Sequence, residues 1–151
     1  MSIEEAIRQK KFDNEYIKLA VNILFTSGWI SVLDIQRLKP HGLSPQQFNV
    51  LRILRGSQGK ALRLGDISSR MIDRNSNATR LVEKLRIKGL VKREICEDNR
   101  RQVNIWITPK GLSLLAELDQ FEERWTEPFK NISKAEAKQM NLLLDKLREG
   151  K

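Results

Sequence analysis

The sequence predicts a mainly α-helical fold with one small β-ribbon, and three observations support this. Apolar residues recur at spacings of three and four through most of the chain. Only residues 90–107 alternate with period two, in two short runs joined by a charged turn. Residues that start and stop helices, such as Ser-Pro, Ser-x-x-Glu and Gly, fall between the periodic segments rather than inside them.

At 151 residues the chain is long enough for one compact domain with extra helices, but hardly for two independent cores. With 40% hydrophobic and 31% charged residues it can bury a core and reads as a soluble globular protein. No uninterrupted run of eighteen apolar residues occurs, and "MSIEEAIRQKKF" lacks the apolar stretch of a signal peptide, so no membrane partner and a cytoplasmic location are expected. The single cysteine, Cys96, excludes an internal disulfide. The net charge of +9 is concentrated in the middle of the chain. Residues 1–43 carry six basic against five acidic side chains, residues 44–108 fourteen against six, and residues 109–151 eight against eight. A solvated basic face fits this poorly, because the flanks have similar charge density and are balanced; a polyanion such as nucleic acid is the expected partner of the middle segment.

From Phe12 to Leu38 the pattern is that of a long helix with two apolar stripes, one through Phe12, Tyr16, Leu19, Ile23 and Leu24 and one through Val21, Phe25, Trp29 and Val32. A chain this short cannot bury both stripes itself, so a second protein is expected against one of them. Pro40 and Gly42 end the helix. Ser44, Pro45 and Gln47 start the next, to about Arg55, with Phe48, Leu51 and Leu54 inward. "GSQGK" is a turn, since the spacing and terminal GK[ST] of a P-loop are missing. "ALRL" is a possible short strand, and a third helix places Leu64, Ile67 and Met71 on one face.

The stretch "RNSNATRLVEKLRIKGLVKRE" holds the fourth helix, with Ala78, Leu81, Val82 and Leu85 facing the core. Asn75 or Ser76 can cap its start and Gly89 can end it. Ser76, Arg80 and Glu83 lie on the opposite face, flanked by Asn77, Thr79 and Lys84. "LVKREI" and "QVNIWI" then form a hairpin whose tip "CEDNRR" carries Arg100 and Arg101. Thr108 and Pro109 open a helix to about Trp125 through Leu112, Leu115, Leu118 and Phe121. The box Ser133 to Glu136 opens a last one with Met140, Leu143, Leu144 and Leu147.

Helix, turn, helix and ribbon in that order is winged helix-turn-helix organisation. A helix that enters the DNA major groove needs a first turn of little bulk and side chains that match base edges. Arg74 and Asn75 lead into such a turn. Asn77 suits adenine, Arg80 suits guanine and Ser76 suits either, while Thr79 and Lys84 suit phosphates. A capped amphipathic surface helix explains the same residues, and a charged turn blunting a β-ribbon explains the hairpin tip. The basic middle and the following hairpin favour DNA, with Arg100 and Arg101 as wing contacts in the minor groove. A module for a protein or RNA partner and an architectural DNA binder without sequence preference are the alternatives. No enzyme, metal or cofactor is expected, because His41 and Cys96 are the only members of their kinds and cannot form a Cys/His zinc set or an oriented nucleophilic pair.

Through "LSPQQFNVLRIL", the fourth-helix stretch, "EDNRRQVNIWIT" and "TPKG", nearly the whole chain resembles the MarR (multiple antibiotic resistance regulator) family of bacterial winged-helix regulators. The resemblance implies a homodimer that represses from palindromic operators. It divides the chain into an N-terminal dimerisation helix (1–43), a DNA-binding domain (44–108) with recognition helix Ser76–Lys88 and wing Ile95–Gln102, and C-terminal dimerisation helices (109–151). It also implies a small aromatic or phenolic effector, with residues unknown. Trp29, His41, Arg52 and Trp106 are open both to that role and to ordinary packing, and Cys96 lies outside the helix where the family's sensing cysteines sit. Family wings usually carry Asp-Arg-Arg, the aspartate pairing with an arginine. Here Asn99 stands in that place, which leaves open which arginine probes the groove; Arg100 is the favoured one.

Overall fold

The computed structural model describes residues 1–150. Its order is α1 (Ile3–Ile7), α2 (Glu15–Leu38), a 3-10 turn (Lys39–His41), α3 (Pro45–Gly56), α4 (Leu64–Arg70), α5 (Ala78–Ile87), β1 (Val91–Ile95), β2 (Val103–Ile107), α6 (Pro109–Asp119), α7 (Glu122–Thr126), a second 3-10 turn (Glu127–Phe129) and α8 (Lys134–Arg148). The chain is thus mainly helical with one two-stranded antiparallel sheet. It forms two compact units, Met1–Leu112 and the residues from Ser113 onward.

In the first unit, Leu38, Val50, Leu51, Leu54, Ile67, Met71, Val82, Leu85 and Ile105 make the core, drawn from α2 through β2. At roughly 25 cal/mol per Å² of apolar area, each fully buried leucine or isoleucine contributes about 1.5–3 kcal/mol. Caps fix where the helices begin. Ser44 Oγ accepts the Gln47 N–H at 3.1 Å while Gln47 Oε1 accepts the Ser44 N–H at 3.2 Å, with Pro45 at the first helical position. Gly42, at φ 68°, adopts the left-handed conformation that ends the preceding turn.

The structure corrects several element boundaries. A short helix, α1, precedes the long one; Ser2 and Glu5 form its capping box, and Glu4 pairs with Lys18 of α2 at 2.7 Å. Phe48 is only half-buried, with the guanidinium of Arg37 4.7 Å and that of Arg52 5.8 Å from its ring centre. "ALRL" forms no strand; a single bridge from Leu62 to Ile105 replaces it.

The helix expected to run to Trp125 ends at Asp119. Gln120 and Phe121 bond back three residues, to Glu117 and Leu118, so the chain tightens and restarts at Glu122. Leu115 and Leu118 are buried, but Leu112 and Phe121 are exposed. In α8, capped by Ser133 and Glu136 as expected, Met140, Leu142, Leu143 and Leu147 are half or more exposed. α2 likewise exposes Tyr16, Leu24, Phe25, Trp29, Val32 and Ile35. The segment Glu15–His41 is long and apolar enough to cross a membrane, although no eighteen of its residues in succession are apolar.

Candidate nucleic-acid interface

Helix α5, the expected recognition helix, docks through Ala78, Val82 and Leu85, which are buried, while Leu81 is half-buried. It starts two residues later than the sequence suggests. Neither Asn75 nor Ser76 is the cap: Asn77 Oδ1 accepts the Arg80 N–H at 3.1 Å. Before it, Asp73 makes a tight turn, its Oδ1 accepting the Asn75 N–H at 2.9 Å and its carbonyl the Ser76 N–H at 3.2 Å. Asn49 Oδ1 of α3 holds the same turn by accepting the Ile72 N–H at 2.8 Å, a contact with no sequence signal.

These bonds sort the expected DNA residues into groups. Thr79, Arg80 and Lys84 are exposed along α5, and Asn75 and Asn77 are exposed at its start. Asn77 retains its amide N–H groups and one lone pair beyond the cap. Arg74 is exposed but donates from Nη1 to the Ser69 carbonyl. Ser76 departs from its expected place on the outer face, because its Oγ is shut off from solvent and has no hydrogen-bond partner. Glu83 is an anchor: it chelates Arg86 with bonds of 2.6 and 3.0 Å and pairs with Arg93 of β1 at 3.1 Å. The Arg86 hydrogen bonds hold its carboxyl below the usual glutamate range.

The wing is β1 and β2 paired from Val91–Ile107 to Ile95–Val103. Its loop closes through Cys96 N–H to the Gln102 carbonyl and Gln102 N–H to the Asn99 carbonyl, both 2.9 Å. Asn99 Oδ1 accepts the Arg101 backbone N–H at 3.1 Å, so the side chain that replaces the family's aspartate fixes the loop through backbone and leaves both guanidinium groups exposed. Among the described residues, the charged heads of Arg80, Lys84, Arg100 and Arg101 have no hydrogen-bond or ion-pair partner in the chain. They stand beside residues whose charges are satisfied: Arg86, Arg93 and Lys92, the last paired with Glu94 at 2.6 Å.

The end of α5 is held tightly. The ammonium of Lys88 donates to the Gly42 carbonyl and, at 3.1 Å, to Gln47 Oε1. Beside it lies an open groove of about 520 Å³ lined by Ile35, Lys39, Leu43, Ser44, Gln47 and Lys88, among others. None of Trp29, His41, Arg52 and Trp106 lines it. Trp106 instead packs under Lys92, whose Nζ is 5.8 Å from its ring centre.

A MarR family model matches residues 43–103, the segment that contains α3, both helices of the helix-turn-helix and most of the wing. The HTH-type transcriptional regulator YkoM of Bacillus subtilis (strain 168) is 31% identical over 142 residues, covering 89% of this chain and 90% of that protein. The chain belongs to the MarR family. Solved members share the fold. A cysteine-to-serine variant of E. coli MarR, complexed with operator DNA, superposes with a TM-score of 0.78 at 22% identity, over 92% of this chain and 99% of that one. An organohalide-sensing transcriptional regulator in its 2,4-dichlorophenol-bound form gives 0.81 at 21% identity, over 92% of this chain and 82% of that one. YkoM and the organohalide-sensing neighbour are transcription regulators rather than enzymes.

Proposed function

We propose that this MarR protein is a homodimeric, sequence-specific DNA-binding regulator that represses from palindromic operators and is released by a small aromatic or phenolic effector. One observation carries the reading: Arg80 and Lys84 on the outer side of α5 and Arg100 and Arg101 at the tip of the wing are exposed and unpartnered, on the two elements that a winged helix turns toward a duplex. Arg80 reads guanine in the major groove and Asn77 reads adenine. Thr79 and Lys84 hold phosphates, with Asn75 and Arg74 at the entry. Arg100 enters the minor groove, and Arg101, tethered through its backbone to Asn99, supports it.

The dimer is supported by the exposed apolar side chains of α2 and α8, which a second copy would cover in an interface of about 2,000 Å² or more. A second copy, rather than a bilayer, then accounts for the apolar length of α2, and the protein works in the cytoplasm beside the DNA. A two-fold dimer calls for matching half-sites about one DNA turn apart. The operator complex of the E. coli relative and the dichlorophenol complex of the other neighbour support the two ligand classes. The groove beside Lys88 is the candidate effector pocket, since a ligand there touches the residue that ends the recognition helix.

The test is selection of bound duplexes from a random-sequence pool, followed by competition with random duplex. An enriched inverted repeat bound at least about a thousandfold more tightly than random DNA is expected. Equal affinity for all duplexes would make the protein an architectural binder and overturn the reading.

A further inference from the structure

The recognition helix and the wing are joined by only three residues, Lys88, Gly89 and Leu90. Carbonyl groups at a helix end lack intrahelical partners, and a glycine at φ 73° adds freedom to the joint. Yet all three junction carbonyls are taken by the one turn Thr108–Gly111, where α6 begins. Lys110 Nζ donates to the Lys88 carbonyl at 2.8 Å and Thr108 Oγ1 to the Gly89 carbonyl at 2.7 Å. The Thr108 N–H donates to the Leu90 carbonyl at 3.0 Å. The same threonine oxygen accepts the Gly111 N–H at 3.1 Å, so one hydroxyl both caps α6 and grips the junction.

The approach is too close for any side chain at position 111. A Cβ there would run into the Leu90 carbonyl oxygen and stand 2.7 Å from Ile107 Cγ1. Gly111 is thus needed for proximity to the junction rather than for an unusual φ. From the other side, Lys88 is tied to Gly42 and Gln47 at the start of α3. The joint between the two DNA-reading elements is therefore clasped on both sides, although nothing in its own three residues makes it stiff.

We propose that Thr108, Lys110 and Gly111 are positioning residues that fix the angle between recognition helix and wing, so that major-groove and minor-groove contacts are made together on the correct sequence. The proposal rests on the DNA-binding reading above. Side chains that read base edges must be held to about 0.5 Å and 10–20°, whereas attraction to random duplex depends on charge and tolerates a loose joint. Loosening the clasp therefore costs specific binding and spares non-specific binding.

The probe is a duplex selected by the wild-type protein, compared with a random duplex of equal length. Thr108→Val keeps shape and charge but removes the hydroxyl. It is expected to weaken binding to the selected duplex about tenfold and to leave random binding within about twofold. Thr108→Ser keeps wild-type binding to the selected duplex, and Gly111→Ala gives a larger loss than Thr108→Val. Lys110→Met, at an exposed position, lowers the selected-to-random ratio by a smaller factor and serves if Thr108→Val does not fold. Folded Thr108→Val and Lys110→Met proteins with the wild-type ratio would overturn the positioning role while leaving DNA recognition intact. A wild-type protein that prefers no duplex would overturn the DNA reading itself, and this proposal with it.

Discussion

The middle of the molecule and its terminal helices differ in what they chiefly expose. On α5 and the wing Ala78, Val82, Leu85, Val91 and Ile105 are buried, Ile87 and Ile95 are exposed, and the exposed groups include cations with no partner in the chain, Arg80, Lys84, Arg100 and Arg101. On α2 and α8 the exposed groups include many apolar side chains, among them Leu24, Trp29, Leu143 and Leu147, beside charges of which some pair locally, Arg37 with Asp34 at 2.7 Å and Arg148 with Asp145, and others, such as Lys138, do not. Each surface keeps what an isolated folded chain has no use for, so each points to a different partner. Unpaired cations cost little in water and attract a polyanion. Exposed apolar side chains in a continuous helix face gain only by being covered.

The comparison breaks most severely at the apolar surface. Leu143→Asp combined with Leu147→Asp places charges in the proposed subunit contact and is expected to yield monomer, or unfolded chain, in sedimentation velocity. Operator affinity then falls by about a hundredfold or more, because two half-sites can no longer be engaged at once. The same double substitution leaving a dimer would remove α8 from the interface.

At the basic surface, Arg80→Ala should cost about 1–3 kcal/mol at one base position and relax specificity there. An equal loss on random duplex would make Arg80 a phosphate contact. Arg100→Ala should weaken binding chiefly where the flanking minor groove is A·T-rich, by about tenfold, with Arg101→Ala weaker in effect. The reverse order would exchange their roles. Lys84→Ala should weaken all sequences alike and lower the slope of log affinity against log salt by about one, as measured by titration at several ionic strengths.

Those residues were legible in the sequence because surface charge needs no tertiary knowledge. Ser44, Pro45 and Gln47, the Ser133 to Glu136 box, Gly89 and the hairpin were legible for a similar reason: caps and turns are settled within four or five neighbouring residues. Three features were not. In "NSN", Asn75, Ser76 and Asn77 are all competent caps, and the choice of Asn77 depends on the Asp73 turn and on burial of Ala78. The end of α6 at Asp119 has no glycine or proline to mark it. The clasp at Thr108 and Gly111 looked like an ordinary helix start, since its partners at Lys88, Gly89 and Leu90 are about twenty residues away.

The smallest effect lies at Glu83 of α5. Its carboxyl is held below the ordinary value of 4.5 by the hydrogen bonds from Arg86, and then by the charges of Arg86 and Arg93. A lowered folded-state pKa stabilises the fold above the unfolded value, and that contribution is lost as pH falls through the folded one. Thermal melts of wild type and Glu83→Gln should therefore differ slightly at neutral pH and converge as the pH falls through the lowered folded-state value. A constant difference across that range would show that the ion pairs contribute nothing to stability.

Sedimentation equilibrium of the protein mixed with its selected duplex at low salt tests both surfaces in one measurement. A complex of two chains per duplex that dissociates steeply as salt rises is expected. One chain per duplex, or a free chain that ignores the DNA, would contradict it.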